Sequence, residues 1–185
     1  MKLTSPIAIA SIACSGMIPA VSALLGTSCI SAVNALAQLP GLLIEHMQRQ
    51  TCAHGCEPTV QTWQHAIKGQ VIGELVDDGV KYCDAPDARE AFTSFLDQLM
   101  SGTADKCKDK LDTRHLCHDP DAVQPFIDCV NGKSKSAVAG SMHTLLPYMN
   151  EARCKKAAEY FTGEQLWEKD FPEHIQEYIS VCHEL

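Results

Sequence analysis

Asp84-Ala85-Pro86-Asp87-Ala88-Arg89-Glu90-Ala91-Phe92-Thr93-Ser94-Phe95-Leu96-Asp97-Gln98-Leu99 is the stretch on which the reading of the fold turns. Phe92, Phe95, Leu96 and Leu99 fall at i, i+3, i+4 and i+7, which places four apolar side chains on one face of an α-helix. Asp87, Arg89 and Glu90 fall outside that face. Asp84 offers a side-chain acceptor for free amide groups at the helix start, and Pro86 stands where no helical hydrogen bond is needed. Ser101-Gly102 reads as the stop.

The same period recurs on both sides of this helix. Pro58 suits the first turn of a helix carrying Val60, Trp63, Ile67, Val71 and Leu75 to near Cys83, with Gly69 and Gly73 leaving room for close helix packing. Thr103 continues helically through Cys107, and residues 112–119 read as a loop. Asp119-Pro120 restarts a helix with Val123, Phe126, Ile127 and Val130 inward; Pro125 should kink or delay it, and Asn131-Gly132 should end it. Ser136 to Leu146 is helical up to Pro147, and Asn150 to Phe161 carries Cys154, Ala157, Ala158 and Phe161 on one side. Leu166 and Trp167 form an apolar turn before Pro172 opens a last helix with Ile175, Tyr178, Ile179 and Cys182 inward. Nothing resembles a set of alternating strands, and no repeat or low-complexity tract appears. The prediction is an all-α protein, a single compact bundle of about six or seven short helices cross-linked by disulfides.

Ten cysteines punctuate the chain. Cys52, Cys56, Cys83, Cys107, Cys117, Cys129, Cys154 and Cys182 sit mostly at helix ends or on apolar faces, and read as the disulfide framework of an exported domain. Spacing leaves their pairing open. Cys29 is then left over, as a free thiol or as a link between chains.

The first residues supply the export signal that such a framework needs. Residues 3–44 contain no Asp, Glu, Lys or Arg, and Lys2 precedes the apolar run from Pro6 to Cys14. That order predicts a signal peptide over residues 1–23, cut after Val21-Ser22-Ala23, and one helical domain over residues 24–185. Cutting after Ala37 is the alternative; it would remove Cys29 and leave an even set of thiols. Pro6, Pro19, Gly16 and Gly26 speak against a stable membrane anchor, and Ser11 replaces the Leu of a lipobox before Cys14. His183-Glu184-Leu185 matches an endoplasmic-reticulum retention signal too poorly to count.

Loss of Lys2 moves the formal charge from −8 to −9. A net acidic chain without a basic run is a poor match to nucleic acid or anionic lipid. Arg153, Lys155 and Lys156 read as one solvated helix face. Asn34, Asn131 and Asn150 are not in glycosylation sequons.

Chemistry-bearing constellations are sparse. Cys52-x-His54-x-Cys56 and His115-x-Cys117-His118 have soft donors, but they lack the two-residue gap between thiolates, and oxidation consumes the thiols; no metal or cofactor is expected. Trp63 and Trp167 sit on apolar stripes and read as core. Cys117-His118-Asp119 resembles, over three residues, the His-Asp pair of secreted phospholipases A2. The resemblance implies His118 activating water beside Asp119 as a calcium ligand; on its own, Asp119 before Pro120 reads as a helix cap. The first functional expectation is therefore a secreted protein of effector or virulence type that acts by binding an extracellular protein, with no catalysis. A helical carrier of a small apolar ligand, with a cavity lined by residues such as Trp63, Phe92 and Phe95, is the second. A small hydrolase using His118 and Asp119 is the third.

Overall fold

The computed structural model describes residues 26–59, 68–111, 116–117 and 120–183. The leader, Val60, Trp63, Ile67, His115, His118, Asp119 and the last two residues lie outside the described residues. Six α-helices, joined by 3-10 and π turns, make up the bundle among the described residues, and no strand is found there. The all-α expectation holds.

Helix α1, Thr27–Ala53, runs through the centre. It packs against four other helices: α3 (Arg89–Cys107), α4 (Pro120–Ser141), α5 (Glu151–Thr162) and α6 (Phe171–Val181). A helix enclosed on several sides needs more than one apolar stripe. Cys29, Ala32, Ala35, Leu36, Leu39 and Leu43 are buried, and so are Pro40, Gly41, Ile44 and Met47. The uncharged run therefore reaches beyond any leader because its second half is core. Length and hydropathy would also let α1 cross a membrane, but it is mostly buried inside the bundle, as core helices are.

The ends of α1 are held by tertiary contacts. Gly26 has no capping side chain, and the Glu151 carboxylate of α5 accepts from the Ser28 amide at 3.1 Å. An anion there offsets the partial positive charge of the exposed amides. At the other end Gly55 adopts φ +77°, a left-handed conformation that glycine takes without strain, and the Cys56 amide closes onto the Thr51 carbonyl. The turn at Leu116 and Cys117 docks beside it: Gln48 Nε2 donates to the Leu116 carbonyl at 2.7 Å, and the Leu116 amide donates to that of Pro58 at 3.0 Å.

Helix α2, Lys68–Tyr82, buries Val71, Ile72, Leu75, Val76 and Val80. Close packing at Gly73 is not observed, for a Cβ placed there would meet nothing within 4 Å. Gly73→Ala should therefore add about 1 kcal/mol through helix propensity alone. Thermal unfolding should move up by about 3 °C; an unchanged or lower midpoint would show that the position is constrained.

Helix α3 buries Phe92, Phe95, Leu96 and Leu99 as its spacing requires. Two of its boundaries differ from expectation. Asp84 does not cap it: that residue sits at φ +51° with its carboxylate on Lys156, and a 3-10 turn, Pro86–Ala88, leads into the helix. Gly102 does not end it, because Met100, Thr103 and Cys107 continue the buried face and the Thr103 hydroxyl donates to the Leu99 carbonyl at 2.7 Å. Packing outweighs the propensity cost of one glycine.

The same effect carries α4 past Asn131-Gly132 to Ser141, since Val130, Ser134 and Val138 stay buried along one side. Gly41 of α1 meets Asn131 so closely that an added Cβ would lie 2.0 Å from its amide oxygen. Pro125 neither delays nor ends α4; it lies on the exposed side, where a carbonyl without a helical donor can bond water. Asn150 caps α5, its side-chain oxygen accepting from the Arg153 amide at 3.0 Å. A π turn, Gln165–Asp170, then buries Leu166 and Trp167 and opens α6, which buries Phe171, Ile175 and Tyr178.

Four disulfides lock the helices: Cys29–Cys154, Cys52–Cys117, Cys56–Cys182 and Cys107–Cys129. The thiol assignment from sequence is corrected at two positions. Cys29, read as left over, joins α1 to α5, whereas Cys83, read as bridged, is buried and unpaired. Parity allows either arrangement, and proximity selects one: the Cys29 and Cys154 Cα atoms are 4.6 Å apart, within bridging distance.

Candidate functional site

The unpaired Cys83 faces a cavity of about 90 Å³. Five short side chains or glycine open it: Ala32 from α1, Gly79 from α2, Ala85 and Ala88 from the turn before α3, and Ala157 from α5. Larger groups wall it, among them Leu36, Val80, Phe92, Met142, Leu145 and Phe161. Gly79 is not forced to be glycine; a Cβ there would meet Tyr160 and Phe92 at ordinary contact distances of 3.5 and 3.6 Å. Partly exposed Val33, Tyr148, Met149, Arg153 and Ala157 mark the solvent side.

Polar groups are few, and the one charged group is occupied. The Arg153 guanidinium donates to Asp87 at 2.9 Å and to the carbonyls of Asp84 and Tyr148 at 3.0 and 3.3 Å. One cation so ties both segments that flank the cavity to α5, and Lys156 adds an ion pair to Asp84. That pairing holds the exposed Asp84 carboxyl below its usual range, chiefly through the hydrogen bond from Lys156.

Burial pushes the Cys83 thiol up to about 11, with Lys156 opposing the shift. At neutral pH it is therefore a small apolar wall group and a poor nucleophile. A raised folded-state pKa is neutral for stability below the unfolded value of 9.0 and destabilising as pH rises from there to about 11. Stability of the wild-type chain should fall across that window, and Cys83→Ala should flatten the fall; identical profiles would refute it. Cys83 should resist iodoacetamide in the native state and react after denaturation without reductant.

The sequence-derived candidates are dispersed. Cys52 and Cys56 enter different bridges, so they leave no thiolate pair for zinc, and no metal-binding group of three or more His, Cys, Asp or Glu occurs among the described residues. Trp167 is core, its ring stacked on His46 at 4.3 Å and its indole donating to the Phe161 carbonyl. Burial holds His46 below the ordinary histidine range. Phe95 is fully enclosed, and Phe92 alone of the proposed trio is placed on the cavity wall, Trp63 being outside the described residues.

One histidine does lie within reach of carboxylates. His174 of α6 places Nδ1 2.9 Å from Glu74 and Nε2 2.8 Å from Asp78, both on α2. Both ring nitrogens are thereby engaged, and the surrounding depression is lined by Asp77, Glu173 and Glu177 with no hydroxyl or thiol. The group clamps α6 to α2; it presents no nitrogen for activating a nucleophile.

Comparison with protein-family models, curated proteins and solved structures finds no match to the chain. Fold and cavity define its class: a disulfide-braced all-α bundle with an apolar cavity, open to solvent on one side, at the junction of α1, α2, α3 and α5. The four bridges are consistent with an oxidising compartment.

Proposed function

We propose that this is an exported binding protein that takes an apolar group into the cavity beside Cys83. The observation that carries the reading is the lining itself: side chains from four helices leave a hydrocarbon-walled space, and its cation is already neutralised. Concave, mostly apolar sites with few polar groups are where small ligands bind. The carrier reading so moves ahead of the effector reading. Among the described residues the exposed large apolar side chains, Ile30, Tyr82, Leu146 and Val181, belong to four different elements, which favours the concave site over a broad docking face. The disulfides support export, and cleavage is placed after Ala23 in this reading because a cut after Ala37 would fall inside α1 and discard Cys29.

Xenon is a suitable first probe, because it enters dry apolar cavities without needing a hydrogen bond. Under xenon pressure, methyl resonances of Met142, Met149, Leu36 and Leu145 should shift while those of Leu99 stay. Shifts absent from the cavity methyls, or spread evenly over the protein, would defeat the reading.

A further inference from the structure

The cavity specifies more than an apolar occupant. We infer that its ligand is an amphiphile with a slender, unbranched alkyl end, which enters the cavity while the polar head stays at the Arg153 side. This deepens the apolar-ligand reading and rests on it. Three observations lead there.

Size is the first. At about 90 Å³ the space is smaller than the roughly 150 Å³ cavity that accepts a benzene ring, so it holds a few carbons rather than a ring or a branched group. The second is the absence of polar partners inside. The Arg153 guanidinium is engaged by Asp87 and two carbonyls, and the Cys83 thiol is a weak donor. A carbonyl or hydroxyl carried inside would lose its water without replacement, which weakens binding. The buried part is therefore hydrocarbon, and Met142 and Met149 give a wall that adapts to a thin chain.

The third observation places the head. Partly exposed Arg153 and Tyr148 border the space, and Arg153 and Lys156 are matched by Asp87 and Asp84. Two cations and two carboxylates leave no net charge at the rim, so selection falls on the chain end and not on the sign of the head.

The test titrates the exported, disulfide-intact protein with octanoate, octanol and octylamine, and with octanol analogues ending in a tert-butyl or a phenyl group. Binding is read from the methyl resonances of Met142 and Met149. The three linear compounds should bind within about threefold of one another, and both bulky ends should weaken binding by about tenfold or more. Ala157→Phe, which fills the space, should abolish octanol binding while the thermal midpoint and the four bridges are kept. Ala88→Leu makes the same test should the first variant fail to fold. Equal binding of linear and bulky ends, or a head preference above about tenfold, would overturn the inference while leaving the apolar-ligand reading intact if xenon binds. Failure of xenon and of every alkyl compound would remove both.

Discussion

Replacing the Cys29–Cys154 pair by alanines should lower the stability of the bundle by about 4 kcal/mol. The bridge spans 125 residues of sequence, but Cys56–Cys182 already closes a shorter circuit. The effective loop through that second bridge is about 55 residues, and the chain-entropy relation gives about 4 kcal/mol for closing it. Two native contacts should suffer as well. The Glu151 carboxylate, one turn before Cys154, holds the first turn of α1, and the bridge buries Cys29 and Ala32 against α5. The measurement is denaturant unfolding of the double alanine variant with the other three bridges verified. A loss below about 1 kcal/mol would mean that α1 and α5 stay joined without sulfur. A chain starting at Gln38 should fare worse, since it lacks Cys29 and the first eleven residues of α1 and leaves Cys154 as a second free thiol beside Cys83.

Leu43→Ala should cost about 3 kcal/mol, and Asn34→Ala less than about 0.5 kcal/mol. Both residues lie in the uncharged region that precedes Glu45, and only their orientation separates them: Leu43 is fully enclosed, whereas Asn34 faces solvent. Removing the Leu43 branch leaves a void between α1 and its neighbours that close packing does not refill. Equal effects at the two positions, in unfolding of the mature protein, would mean that residues 27–53 are not the central helix.

An export leader would be uncharged and an enclosed helix is uncharged too, so composition over residues 3–44 gives the same signal for both. The boundary between them was not legible from composition. Glycines misled for a related reason: Gly102 and Gly132 have open space around them and no left-handed φ, and in each case buried residues on both sides keep the helix going. By contrast, the Phe92–Leu99 face and the Val123–Val130 face involve only neighbours within two turns, and both are found where the spacing puts them.

Of the candidate site, the sequence showed Phe92, Ala157 and Phe161 as inward-facing without showing that they share a space. Five small residues, drawn from three separate regions of the chain, make that space by not filling it, and a missing side chain has no periodicity to detect. His174 was not singled out, because its partners Glu74 and Asp78 stand about a hundred residues away.

What the amino-acid sequence determined alone was the all-helical class, most inward faces and the presence of a disulfide framework, since each depends on local spacing or on counts. The tertiary structure decided which of the described thiols stays free, how far each helix runs and where the cavity opens. Those outcomes depend on distances between groups that the chain brings together only when several helices pack at once.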